Sequence, residues 1–242
     1  MEWIDGNTFF GTWPKRKLDV PSEELVRLLR EAGTSRALTL SLAAPLLHAV
    51  EGNNLTRLAS IEHRELVPFG AVDPRKYTGE GAVQRLRETG CAALRLTNRI
   101  NAFPLDIAPV ELILTESAHA EITAFVDVIG WGDCTTLERL AERCGCRVVM
   151  VGVHYNFLSE ALVCMKRSNL LYLETSRLNT PDGVRVVSSE VGPERVLFGS
   201  GAPFSYASSA RMVAEHSRLT GQELDWVSSK TVLSLLTEEC RT

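Results

Sequence analysis

The feature that most constrains this chain is an alternation running through its whole length. Short apolar runs rich in β-branched residues are each followed by a longer segment of helical period. The runs fall at Trp3–Asn7, Arg36–Leu40, Leu66–Val72, Ala92–Leu96, Ile122–Val128, Arg147–Val151, Leu170–Glu174 and Arg195–Phe198. The longer segments fall at Ser22–Ala32, Leu55–Arg64, Gly79–Thr89, Pro109–His119, Thr135–Cys144, Phe157–Arg167, Gly183–Val191 and Ser208–Leu219. Ser22–Ala32 shows the logic: Pro21-Ser22-Glu23-Glu24 is a helix start signal, and Leu25, Leu28 and Leu29 share one face. Glycine or proline marks most junctions, at Gly33, Gly90, Gly145 and Gly192-Pro193, as helix C-caps and loop starts do. Strands joined through single helices pair in parallel and are buried on both faces, which suits the run Val148–Val151. Eight strand–helix units in 242 residues, with no linker and no shift in composition, predict a single α/β domain over 1–242, a (β/α)8 TIM barrel. An open doubly wound sheet is the competing arrangement, but no Gly-x-Gly-x-x-Gly follows a strand.

Composition narrows the function classes. At 45% hydrophobic and 23% charged residues the chain is an ordinary globular one, not a disordered or low-complexity one. A formal charge of −4 and the lack of a Lys/Arg stripe argue against a nucleic-acid partner. The start Met1-Glu2-Trp3-Ile4-Asp5 carries an acid where a signal peptide needs a base and an apolar run. The most apolar stretch, Leu38–Val50, is broken by Ser41, Pro45 and His48 and is too short for a bilayer. The six cysteines have no framework spacing, and Cys144-Gly145-Cys146 reads as two small thiols at a helix-to-strand junction. The expectation is a cytoplasmic protein with reduced thiols and no membrane partner.

Several blocks then line up with one family. Ile4-Asp5-Gly6-Asn7-Thr8-Phe9-Phe10-Gly11 resembles the opening strand of amidohydrolase-related barrels of the amidohydrolase 2 type, whose pattern is Ile-Asp-x-His-x-His-x-Gly. Val67-Pro68-Phe69-Gly70-Ala71-Val72-Asp73-Pro74 resembles their third strand, Gly90–Leu96 their fourth and Asn169–Ser176 their seventh. Val196-Leu197-Phe198-Gly199-Ser200-Gly201-Ala202-Pro203 resembles their eighth, Leu-Phe-Gly-Ser-Asp-x-Pro, and Thr231–Leu236 fits their last helix. The resemblance implies a metal-dependent hydrolase or decarboxylase acting on small carboxylate or cyclic substrates. The departures matter more. The family's two first-strand metal histidines are Asn7 and Phe9 here, and its eighth-strand Asp is Gly201. No histidine ends the fifth strand, and only His154 lies just past the sixth. A zinc-type site needs three or four converging N, O or S ligands at about 2.0–2.3 Å, and its bound water needs a base. The sequence reading is therefore a barrel with a dismantled metal site and no cofactor.

In a barrel, residues at the C-terminal ends of the strands share one mouth. His154 has a pKa suited to acid–base work, set against the plainer reading of a loop or buried histidine bonded to backbone. Asp127 offers a base or substitute ligand, against a helix or loop cap. Glu174 follows an apolar run and is costly to bury unpaired. Tyr172, Glu174 and Ser176 share strand parity, and Arg95 shares it with Ala93 and Thr97. Arg95 is expected to face inward, to partner Glu174 across the mouth or to grip a substrate carboxylate. Asn7, Asn98, Tyr155 and Ser200 complete the candidate substrate-binding set, and Phe9, Phe10 and Trp13 are candidates for an apolar wall.

Three readings follow. One is an enzyme working without a metal on a small anionic or cyclic substrate, by hydrolase or lyase chemistry, with His154, Asp127 or Glu174 moving protons. Another is a non-catalytic barrel, a small-molecule binder or the partner subunit of an intact relative, so that a homo-oligomer or a hetero-oligomer with a related barrel is expected. In the third, Asn7, Asp127, His154 and Glu174 rebuild an altered divalent-metal site.

Overall fold

In a computed structural model the chain is described over residues 1–79, 81–180 and 182–240. Nine strands form one curled sheet: β1 (Ile4–Trp13), β2 (Leu18–Val20), β3 (Arg36–Ser41), β4 (Leu66–Gly70), β5 (Ala93–Leu96), β6 (Ala124–Asp127), β7 (Val148–Val151), β8 (Leu171–Glu174) and β9 (Val196–Leu197). Their order is β2-β1-β3-β4-β5-β6-β7-β8-β9, and every neighbouring pair is parallel except β1 with β2. On its other side β1 bonds to the segment that follows β9. Gly6 N donates to Phe198 O (2.8 Å), Gly201 N to Asn7 O (2.9 Å) and Phe9 N to Ala202 O (2.8 Å), and Thr8 bridges Ala202 in parallel. β1 therefore lies beside the segment that follows β9.

A helix stands at each segment where the helical period falls: Ser22–Glu31, Ala49–Glu62, Ala82–Glu88, Ala108–His119, Asp133–Cys144, Leu158–Arg167, Gly183–Val191 and Ala207–Glu215. Period-2 alternation divides the strand side chains between two layers. Val149 and Val151 face the interior with Leu38, Leu40, Phe69 and Phe125. Val148 and Met150 face the helices with Ile113, Leu137 and Met165. Phe69 meets Phe125 edge to face with centroids 4.9 Å apart, an arrangement worth about 0.5–1.5 kcal/mol beyond the area it buries. Val232 and Leu235 of the helix Thr231–Leu235 join the interior cluster, and Leu235 O accepts from Thr123 Oγ1 at the N-terminal edge of β6 (2.8 Å). That helix covers the N-terminal ends of the strands and leaves the other end for a site.

Two features depart from the sequence expectation. The first strand is longer than Trp3–Asn7: the β-favouring Thr8, Phe9 and Phe10 run on along β3, and Gly11 to Trp13 pair with β2 as a hairpin. Along β1 the pairing with β3 steps from Asp5↔Ala37 to Thr8↔Thr39, so Gly6 and Asn7 stand opposite Leu38 alone. This bulge switches the inward parity from Ile4 to Asn7 and Phe9, the usual effect of an inserted residue beside a site.

Candidate active site

At the C-terminal ends of the strands a pocket of about 280 Å³ opens. Its apolar wall is Phe9, Trp13 and Phe204, with Phe204 centred 5.8 Å from Phe9 and 5.2 Å from Trp13. Phe10, of opposite parity, faces outward and packs with Val20 and Leu25 instead. The polar wall carries three guanidinium groups, Arg95, Arg99 and Arg177, and one carboxylate, Asp127.

Arg95 does point inward, but its partner is not Glu174. The register sets Arg95 of β5 beside Phe125 of β6, and Asp127 is the next residue on that face, whereas Glu174 lies three strands away. Arg95 donates Nη2 to Asp127 Oδ1 (2.5 Å) and Nη1 to Leu96 O (2.8 Å) and Phe125 O (3.3 Å); both partners of the ion pair are buried. Its Cζ lies 5.6 Å from the centre of the Phe9 ring, in reach of a cation–π contact. Among the described residues the Nε of Arg95 is buried without a partner. The second oxygen of Asp127 accepts from Arg99 N (3.2 Å) in the first turn of the short helix Asn98–Asn101, which precedes it in the chain. Asn98 is buried and spends its amide on Asp127 backbone, accepting from its N (3.1 Å) and donating to its O (3.0 Å). Arg99 donates to Val128 O (2.5 Å), and burial, with Arg177 and Arg95 nearby, lowers its pKa against the pull of Asp127. Among the described residues no carboxylate pairs with Arg177, which is exposed.

Beneath the pocket lies a second polar group of different character. Glu174 is fully buried and accepts from Ser176 N (2.6 Å), Ser176 Oγ (2.8 Å), Gly152 N (3.1 Å) and Asn7 Nδ2 (3.4 Å). Burial pushes its carboxyl up to about 7, with Asp5 adding to the rise and the Ser176 and Gly152 bonds opposing it. Asp5, also fully buried, accepts through Oδ1 from Asn7 N (3.0 Å) and Ser200 N (2.9 Å). Burial pushes it up to about 6 against the bonds from Ser200 and Asn7. Among the described residues its Oδ2 has no donor, and neither has Oδ1 of Asn7. A buried carboxyl oxygen without a donor suits a protonated acid better than an ion. Asn7, Gly152 and Ser176, the partners of Glu174, all line the pocket. The Glu174 carboxyl thus reaches the pocket through one hydroxyl and one amide. Gly199 makes room for it, because a Cβ there would lie 2.1 Å from Glu174 Oε1.

The remaining candidates fall elsewhere. His154 lies beyond the end of β7 and caps the short 3-10 turn Tyr155–Phe157, its Nδ1 accepting from Asn156 N (3.4 Å) and its ring packed 4.4 Å from that of Tyr155. Neither His154 nor Tyr155 lines the pocket, and Tyr155 is largely exposed. Ser200 is buried, its Oγ accepting from Ala202 N (3.0 Å), and supports Asp5 from below. Ser176, Arg99 and Arg177 enter the sequence reading only as polar residues at the strand ends, without an assigned role, and Phe204 is not among its site candidates. Ser176 shares the parity of Glu174, and each arginine stands three residues past a strand end. Cys146, fully buried, has its thiol pushed up to about 12 by burial, and no ligand set surrounds it among the described residues.

The donor set does not fit a divalent metal of the family's kind. Phe9 offers no lone pair, and the guanidinium of Arg95 lies over its ring. Gly201 sits at φ +72°, a backbone conformation that an Asp adopts only with strain. Among the described residues no three of His, Cys, Asp and Glu come together as ligands would.

Fold and pocket together define a parallel α/β architecture with an arginine-walled mouth. No protein-family model and no curated sequence matches the chain. Solved structures do. The 5-carboxyvanillate decarboxylase of Sphingomonas paucimobilis superposes with a TM-score of 0.76 at 10% identity, covering 98% of this chain and 99% of its own. A dihydroxybenzoic acid decarboxylase from Polaromonas sp. JS666, solved with manganese and the inhibitor 2-nitroresorcinol, gives 0.76 at 15% identity over 97% of this chain and 96% of that one. An uncharacterised TIM-barrel protein of Bordetella bronchiseptica gives 0.77 at 12% identity over 97% and 98%. The chain has the fold of these proteins. Among the described residues no helix is long and apolar enough to cross a membrane.

Proposed function

We propose that the chain is a divergent amidohydrolase-related enzyme, its sheet a closed (β/α)8 barrel, that binds a small cyclic carboxylate and moves a proton on it without a bound metal. The observation that carries this reading is the position of Glu174. It is a buried carboxyl with a pKa raised to about 7, joined by the Ser176 hydroxyl to a pocket walled by Arg95, Arg99 and Arg177. A group poised near neutral pH both gives and takes a proton efficiently, and Ser176 Oγ is placed to relay it to a ligand. Three guanidinium groups against one carboxylate leave the pocket positive, a setting that favours a carboxylate ligand. Phe9, Trp13 and Phe204 supply a flat apolar wall for a ring. Decarboxylases named for aromatic acids share the fold, which supports a carboxylate ligand and a lyase or hydrolase step. Asp127, held by Arg95 and by the first turn of the helix Asn98–Asn101, is a positioning group in this reading, and His154 has no part in it. The buried free thiols Cys91, Cys134, Cys146 and Cys164 support a reducing, cytoplasmic setting.

The test is a panel of benzoates, hydroxybenzoates and cyclic dicarboxylates, scored for binding by calorimetry and for turnover by NMR on metal-free protein. Turnover that Glu174→Gln abolishes while binding persists is the expected result. Binding without turnover by either protein would make the chain a small-molecule binder, and turnover that appears only with added manganese would overturn the metal-free mechanism.

A further inference from the structure

Glycine at position 201 leaves a hollow beside Ser176. A carbon atom set where a Cβ of residue 201 would stand lies 3.6 Å from Ser176 Cβ, 3.8 Å from Ser205 Oγ and 3.9 Å from Asn7 Nδ2. These are ordinary van der Waals separations, so the hollow takes one substrate carbon without displacing a side chain. Gly201, Ser176, Ser205 and Asn7 all line the pocket, and the hollow therefore opens to a ligand. Ser176 is half-buried there, and its Oγ donates to Glu174 Oε2 (2.8 Å). The carboxyl is oriented in turn by Ser176 N (2.6 Å), Gly152 N (3.1 Å) and Asn7 Nδ2 (3.4 Å). A hydroxyl bonded to a carboxylate that other groups hold in place is the arrangement of an activated nucleophile.

We propose that Ser176 is the nucleophile of an esterase activity, with Glu174 as its base and the hollow at Gly201 as the seat of a small ester's carbonyl group. This role rests on the reading of Glu174 as the proton-moving group of the pocket. Ser176 Oγ bonds to the carbonyl carbon while its proton passes to Glu174, and the carbonyl π pair moves onto oxygen. The Ser205 hydroxyl rotates freely, and the Asn7 amide carries a second N–H beside the one that Glu174 accepts, so both donate to that oxyanion. Arg99 and Arg177, on the same wall, add a positive field. Collapse breaks the C–O bond to the leaving group, which departs with the proton from Glu174. Water, deprotonated by Glu174, then cleaves the acyl-Ser176 ester, giving the acid, the alcohol and the free serine. Burial makes the ionised Glu174 a stronger base than an ordinary carboxylate, so acylation climbs with pH toward about 7 and levels off above it.

Stopped-flow mixing of the full chain with p-nitrophenyl acetate tests this, with acid-quenched samples digested and read by mass spectrometry. The expected result is a burst of p-nitrophenolate stoichiometric with the chain and a single acetyl group on Ser176. Ser176→Ala and Glu174→Gln lose both. Ser176→Cys, with a thiol in place of the hydroxyl, is acetylated again at position 176, which separates loss of the nucleophile from loss of the fold. Ser205→Ala slows acylation about a hundredfold, since one oxyanion donor is gone. An acetyl group found instead on a cysteine, a lysine or His154, or hydrolysis that Ser176→Ala leaves unchanged, overturns the proposal. The readout is independent of the benzoate panel. Acetylation of Ser176 without turnover of any panel acid upholds the esterase and removes the carboxylate chemistry, and panel turnover without the adduct does the reverse.

Discussion

Two buried polar groups sit side by side at the mouth of this sheet, and they meet the cost of burial in opposite ways. On the β5–β6 side the charge of Asp127 is balanced by Arg95 at 2.5 Å, and both groups are locked into backbone contacts. On the β1–β8 side Asp5 and Glu174 have no cation between them; N–H and O–H donors hold them, and burial raises both acids toward neutrality. The first solution gives a rigid wall. The second leaves a titratable group beneath a pocket, which is why chemistry is assigned to Glu174 rather than to the better-connected Asp127.

Breaking the ion pair gives the largest expected effect. Arg95→Met leaves Asp127 buried without its counter-charge and lowers stability by about 3–5 kcal/mol in denaturant unfolding, and Arg95→Met with Asp127→Leu recovers much of it. The acidic side responds to pH instead. Both acids hold their protons to a higher pH in the folded chain than in the unfolded one, so unfolding releases protons and stability falls as pH rises between about 4 and 7. The rise of Glu174 from 4.5 to about 7 makes its share on the order of 3 kcal/mol. Glu174→Gln removes that share of the slope in unfolding curves at pH 5 and pH 8, whereas an unchanged slope would mean that Glu174 is ionised throughout.

Gly199→Ala sharpens the comparison by crowding one side only. Its Cβ presses on the Glu174 carboxyl and costs about 1–3 kcal/mol, and the penalty shrinks in a Glu174→Ala background if the clash is its cause. Arg177→Ala is the smallest change to the fold. Exposed and without a carboxylate partner, it leaves stability within about 0.5 kcal/mol. The best-bound carboxylate of the panel then loses about tenfold in affinity by calorimetry, since one charge-assisted contact is gone.

Much of the scaffold was legible in the sequence, and the reason is periodicity. The eight β-branched runs and eight helical segments of the chain stand where the pattern sets them, because burial on both faces demands apolar runs and burial on one demands a stripe. The β2 hairpin was not legible, since Leu18–Val20 is too short to show a period. Nor was the bulge at Gly6-Asn7, which depends on register with β3 and not on any local residue preference. At the site, the inward aim of Arg95 followed from parity, but its partner followed from which strand lies next to β5, a fact of topology. His154, a lone histidine just past the sixth strand, caps the turn two residues on, in keeping with the plainer reading of a loop histidine bonded to backbone, and does not line the pocket. Ser176 was visible only as a residue in phase with Glu174.

Gly201 holds a last consequence. Its backbone sits in left-handed territory at φ +72°, and its neighbour Ala202 bonds that stretch to β1 through the Phe9 amide. Anyone wishing to engineer a metal centre here would find that returning imidazoles to positions 7 and 9 and an acid to position 201 is not a matter of three side chains. An acid at position 201 would have to hold a left-handed backbone, at a cost of about 1–2 kcal/mol, and Arg95 would have to leave its place above the ring it covers. Each of those changes gives up a contact of the present mouth along with the ligand it adds.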